Sequence, residues 1–97
     1  MICKSFKDKQ KMRKASRSAA TVLDRLCAAV KPGMSTFEID ELGGELMNDF
    51  GVKSACKGYR CGHRIFPSYT CLSVNDEVVH GIGVKKRVLK DGDIISV

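Results

Sequence analysis

The sequence predicts an α/β chain of the α+β kind, two helices followed by antiparallel strands that share a sheet. Three observations carry this. Apolar residues recur at three- and four-residue steps through about the first half of the chain, and then the period shortens towards two. Proline, glycine and an Asn-Asp pair punctuate the segments where turns are needed.

The first helix is expected over roughly residues 6–30, because Met12, Ala15, Ala19, Val22, Leu23, Leu26 and Val30 fall on one face. Lys31-Pro-Gly33 ends it, since proline cannot continue the hydrogen-bond ladder and glycine relaxes the turn. Ser35-Thr-Phe-Glu38 reads as a capping box for the second helix, with Met34 and Ile39 placed as a hydrophobic staple. Ile39, Leu42, Leu46 and Phe50 form its apolar side, and Gly51 is a credible stop. Gly43-Gly44 sits inside this helix and should weaken it by ~1 kcal/mol per glycine, a cost that close packing against a neighbour would explain.

After Gly51, Val52–Cys56 is expected to be a short strand and Lys57–Pro67 a loop. Tyr69–Val74 alternates and is rich in strand formers, Asn75-Asp76 is turn chemistry, and Val78-Val79-His80 reads as the returning strand. Lys85-Lys-Arg87 is an exposed basic patch, and Asp91-Gly92 turns the chain into a strand at Ile94–Val97. No internal repeat or low-complexity segment interrupts this order.

Ninety-seven residues fit one small domain or part of a larger one, and 43% apolar with 29% charged residues is the balance of a soluble globular protein. No apolar run approaches the roughly 20 residues needed to cross a bilayer, so no membrane partner is expected. The N-terminal lysines have no apolar block behind them, which excludes a secretory signal and makes the cytoplasm the default location. The five cysteines, Cys3, Cys27, Cys56, Cys61 and Cys71, are odd in number and irregularly spaced, which fits a reducing compartment and not a disulfide framework. The net charge of +6 is concentrated at the start. Lys4, Lys7, Lys9, Lys11, Arg13, Lys14 and Arg17 face one acid, Asp8, within residues 1–17. Such a run either attracts a polyanion such as RNA or is simply a solvated helix face, and the absence of interleaved aromatic residues favours the second.

The residues alone offer several chemistries. Cys56, Cys61, His63 and Cys71 could surround a zinc ion, but their C-x4-C-x-H-x7-C spacing matches no zinc knuckle or finger, and packed or exposed thiols account for them as well. Ser68 and Ser73 lack a nucleophile-elbow pattern, and a Cys71–His80 pair has no evident third group. His80 precedes Gly81 and Gly83, which allow a ligand close to the backbone, so a functional and a purely structural histidine remain equally open.

Five segments together resemble the type I methionine aminopeptidases: Met12-Arg-Lys-Ala15, Val30-Lys-Pro-Gly-Met-Ser-Thr36, Ser54-Ala-Cys-Lys-Gly-Tyr59, Cys71-Leu-Ser-Val-Asn-Asp-Glu-Val-Val-His-Gly-Ile82 and Leu89-Lys-Asp-Gly-Asp-Ile-Ile-Ser-Val97. They fall in the family's order and span almost the whole chain. The resemblance implies the N-terminal half of a pita-bread fold, a pseudo-symmetric α/β arrangement around a two-metal site. It implies a cytoplasmic, monomeric hydrolase that removes the initiator methionine from nascent polypeptides with two divalent ions, Co, Mn, Fe or Zn, which activate water and polarise the scissile carbonyl. His80 matches the position that contacts substrate near the scissile peptide, where it would donate a hydrogen bond as charge develops. Cys56, Tyr59, Phe66 and Cys71 match positions that line the methionine pocket, and sulfur with aromatic edges suits a thioether.

Two departures accompany the resemblance. Arg60–Ile65 is longer than the corresponding loop, so the match of Phe66 depends on where the gap is placed. The family's metal ligands, two aspartates, a histidine and two glutamates, would begin immediately after Val97, and Asp91 and Asp93 belong to the preceding turn. Residues 1–97 are therefore expected to be a single partial domain that binds no metal and is inactive alone. Two rival readings remain: a degenerate, non-catalytic homologue that binds the ribosome, RNA or protein through its basic first helix, and a small structural zinc module.

Overall fold

Ser5 starts the first helix by accepting a hydrogen bond from the Asp8 amide at 3.1 Å. The computed structural model describes residues 2–77 and 80–97. In it, α1 spans Phe6–Ala29 and α2 spans Thr36–Asp49, close to the expected bounds. Ser35 caps α2 as half of the expected capping box, its hydroxyl accepting from the Glu38 amide at 3.1 Å. The linker between the helices is pinned from outside. The Gly33 amide donates to the Leu89 carbonyl at 2.7 Å, and Leu89 donates back to Met34 at 2.8 Å.

The two helices pack against each other, and Leu26 and Ile39 meet Leu72, Val74 and Leu89 in one core. Val30, Met34, Leu42, Leu46, Ile95 and Val97 pack around it. Burial of each such side chain is worth about 1.5–3 kcal/mol. The amphipathic face of α1 is used only at its C-terminal end. Val22 and Leu26 are buried, whereas Met12 and Leu23 are each 42% exposed.

The strands differ from expectation. Residues 52–56 form no strand, because their polar groups are taken up by a turn around Ser54. The segment expected as a loop instead carries an antiparallel hairpin, β1 (Arg60–Cys61) with β2 (Arg64–Ile65), turning at Gly62 with φ 63°. Of Tyr69–Val74 only β3 (Ser73–Val74) is laddered, and it pairs antiparallel with β4 (Ile95–Ser96) in the register Ser73↔Ser96 and Val74↔Ile95. The described strands thus make two separate two-stranded sheets and not one. The expected return strand falls partly on Val78 and Val79, which lie outside the described residues. His80 itself has φ 59°, which is not strand geometry.

The mid-helix glycines have a packing reason. A Cβ on Gly44 would lie 2.7 Å from the Tyr69 ring, and one on Gly43 would lie 3.1 Å from Thr70 Cγ2. The loop before β3 therefore lies directly on α2, and only glycine leaves room for it. No described helix is long and apolar enough to cross a membrane.

Candidate functional site

Asp40 builds the floor of the site. It lies on the buried face of α2, one turn after Thr36, and is 5% exposed. Its carboxylate accepts from the Tyr69 amide at 3.1 Å, the Thr70 amide at 2.8 Å and the Thr70 hydroxyl at 2.7 Å. Charge-assisted bonds of this kind hold the backbone just before Cys71 to the helix. Tyr69 is then clamped between Gly44 below and the Lys57 ammonium, 3.7 Å from its ring centroid, above.

Ser54 places the opposing wall. Its hydroxyl donates to the Tyr69 carbonyl and accepts from the amides of Cys56 at 3.0 Å and Lys57 at 3.1 Å. This turn carries Cys56 to Cys71, with the two sulfurs 3.9 Å apart. On the far side, Leu72 donates to the Gly81 carbonyl at 2.9 Å and the Gly81 amide donates to the Ser73 hydroxyl at 3.1 Å. A Cβ at Gly81 would collide with the Leu72 carbonyl, so the two backbones touch. That contact brings His80 Nδ1 to 3.8 Å from Cys71 Sγ. Further on, Gly83 donates to Ser68 at 3.1 Å, and Val84 exchanges bonds with the Thr36 hydroxyl at 2.9 and 3.1 Å.

The structure therefore gathers three of the five sequence-nominated residues, Cys56, Cys71 and His80, into one sulfur–sulfur–imidazole row. Tyr59 and Phe66 stand at the stem of the β1–β2 hairpin, joined by the Phe66 amide to the Tyr59 carbonyl at 2.8 Å. The Tyr59 ring is 67% exposed and Phe66 is half-buried. The stem is rooted on the site, because the Tyr59 amide donates to the Cys56 carbonyl at 3.1 Å.

Desolvation pushes the Cys71 thiol above its ordinary pKa, and the adjacent Cys56 sulfur adds to the shift. Cys71 thus stays a thiol at neutral pH, able to present S–H to His80 Nδ1. An imidazole accepting at Nδ1 carries its proton on Nε2. With the Cys71 S–H on Nδ1, the row presents an Nε2–H donor at the rim, on an exposed residue held in the left-handed region. Strained non-glycine backbone of this kind is concentrated at functional sites.

Asp40, Ser54, Ser68 and Thr36 hold the site through internal hydrogen bonds, and the sequence nominates none of them as a site residue. Asp40 had a legible signal: a carboxylate on the same helical face as Thr36 and Ile39, where an apolar residue would be expected. Among the described residues no three His, Cys, Asp or Glu side chains gather so as to hold a metal ion. The Cys61 side chain, a member of the candidate zinc grouping, lies outside the described set. Asp93 is already engaged by the Lys90 amide at 2.9 Å and by Asn75 Nδ2 at 3.1 Å, and the first of these contacts chiefly lowers its pKa.

Comparison with known proteins decides the family. Residues 10–97 match the model of metallopeptidase family M24. The chain belongs to this family. It is 41% identical over 95 residues to the methionine aminopeptidase of Escherichia coli strain K12, covering 97% of this chain and 34% of that protein. It is 38% identical over 95 residues to the methionine aminopeptidase of Aquifex aeolicus, covering 96% and 37% respectively. Among solved structures, the methionine aminopeptidase of Thermotoga maritima superposes with a TM-score of 0.86 at 36% identity, over 98% of this chain and 36% of that one. The enzyme from Rickettsia prowazekii gives 0.84 at 33% identity, over 98% and 36%. The fold is thus that of the pita-bread enzymes, and the chain spans about a third of the length of the relatives it matches. Divalent metal use belongs to this M24 family, but no described cluster in the chain fits a metal pair.

Proposed function

We propose that this chain forms one wall of the methionine-binding pocket of a methionine aminopeptidase, a cytoplasmic, monomeric enzyme that removes the initiator methionine from nascent polypeptides. The observation that supports this best is the Cys56–Cys71–His80 row, with spacings of 3.9 and 3.8 Å. Polarisable sulfur suits the methionine thioether, and the adjacent Nε2–H can donate to the substrate's peptide as negative charge develops there. Tyr59 and Phe66, at the stem rooted on Cys56, would complete the apolar lining. The chain contributes as part of a larger domain whose Co, Mn, Fe or Zn ions find no ligand set among the described residues.

The test joins this chain to the remaining two thirds of a close relative and replaces His80 by Ala. The reading expects kcat to fall roughly 10²–10³-fold, as for loss of one transition-state donor, with bound metal unchanged. Metal loss in this variant would mean that His80 has a different role. A lower melting temperature with normal kcat would reduce it to a packing residue.

A nascent-chain substrate would also give the basic start of α1 a place. The nascent chain emerges at the ribosome, and the seven Lys and Arg of residues 1–17 suit a contact with ribosomal RNA. Charge reversal at Lys11, Lys14 and Arg17 should abolish a salt-sensitive association of the chain with ribosomes, whereas unchanged co-sedimentation would remove the proposal.

A further inference from the structure

Cys56 and Cys71 are the only described cysteine pair whose sulfurs approach within hydrogen-bonding range, at 3.9 Å. Neither approach is accidental. The Cys56 amide is fixed by Ser54, the backbone before Cys71 is fixed by Asp40, and Ser54 ties the two segments together through the Tyr69 carbonyl. Both side chains are half-buried, so a small oxidant can reach them. A disulfide needs a sulfur separation of about 2.05 Å.

We propose that Cys56 and Cys71 form an oxidation-sensitive dithiol, converted by a hydroperoxide to a disulfide that reshapes the row ending at His80. The chemistry balances with one peroxide. Oxidation starts at Cys56. Its sulfur loses the thiol proton and attacks one peroxide oxygen, the O–O bond breaks, the departing hydroxide takes up that proton and leaves as water, and Cys56 becomes a sulfenic acid. The Cys71 sulfur, giving its proton to His80 Nδ1, then attacks the Cys56 sulfur. The S–O bond breaks and a second water leaves, carrying the proton that His80 held. Two thiols lose two electrons in total, and the peroxide is reduced to two waters. A thiol reductant reverses the bond by exchange. Drawing Cys71 towards Cys56 takes it away from Nδ1 and removes the contact that sets the proton on Nε2. The effect on substrate binding rests on the aminopeptidase reading, whereas formation of the disulfide does not.

The experiment uses the 97-residue chain, one equivalent of hydrogen peroxide, and N-ethylmaleimide to block the remaining thiols before digestion without reduction. Mass spectrometry should find the Cys56–Cys71 cross-linked peptide in about tenfold or greater excess over any other pair, reflecting the high effective concentration of held thiols. In concentrated urea the preference should vanish in favour of Cys56 with Cys61, its near neighbour along the chain. Cys56→Ser should leave Cys71 alkylatable, and Cys71→Ser should leave Cys56 trapped by dimedone as the sulfenic acid. The imidazole proton signals of His80 should shift on oxidation and return with dithiothreitol, while those of His63 stay in place. A folded chain that cross-links mainly through Cys61, or that keeps Cys56 and Cys71 reduced while other thiols react, overturns the proposal. A disulfide that leaves the His80 signals unmoved overturns its link to the row. None of these readouts needs substrate or turnover, so failure here is distinct from failure of the aminopeptidase reading, which the His80→Ala fusion tests.

Discussion

His80 has φ 59°, a backbone conformation that costs an L-residue roughly 1–2 kcal/mol and that glycine takes freely. Its side chain is exposed and adds little burial to offset this. His80→Gly is therefore expected to keep or raise stability, by up to about 1 kcal/mol in urea unfolding, despite losing the imidazole. A clear loss would show that ring contacts outweigh the backbone cost. Cys71 gives a pH dependence of definite sign. Its thiol is raised in the folded chain, so its stabilising effect is complete below the ordinary thiol range and is lost as pH rises through the raised value. Unfolding free energy should fall from about pH 8.5 upward, and less steeply in Cys71→Ser. An identical slope in both proteins would show that this thiol does not carry the effect. The sequence nominates Cys56, Cys71 and His80 through the family resemblance, while their residue types alone leave packed thiols and a structural histidine equally open; the structure brings the three side chains together. Ser54 gave no signal, because what it binds is backbone, which every residue carries, whereas Asp40 stands out as a carboxylate on a buried helical face.

At the level of elements, both helices were legible to within a few residues, since capping and period are local properties. The strands were not. Their pairing is set by partners far along the chain: Ser73–Val74 finds Ile95–Ser96, and the Ser54 turn absorbs the amides that a strand over residues 52–56 would have used. The Arg60–Ile65 hairpin was hidden by its mixed polarity, natural for a ribbon exposed on both faces. The Gly43-Gly44 pair was visible, but its reason, the Tyr69 ring, was not. Gly44→Ala tests this. Helix propensity alone would gain about 1 kcal/mol. The collision at 2.7 Å should instead cost about 1–3 kcal/mol net and displace the ring from Lys57. A stabilised variant would show that Tyr69 yields easily.

For the whole molecule, the chain spans about a third of the relatives it matches, and we propose that these 97 residues alone have no methionine aminopeptidase activity. A methionyl peptide incubated with purified chain and Co²⁺ or Mn²⁺ should remain intact. Turnover that persists after host enzymes are removed would contradict this. Asp40 adds a different global property. It joins Tyr69 and Thr70, which belong to no strand, to α2 one turn from its start. Asp40→Asn should cost about 1–3 kcal/mol, because an amide cannot accept with both atoms. The same linkage also governs how the molecule opens. The Tyr69 and Thr70 amides cannot meet solvent until the carboxylate lets go, and it is carried by the helix. Their hydrogen–deuterium exchange should therefore follow the opening of α2, making an irregular stretch of chain and a helix one cooperative unit in time.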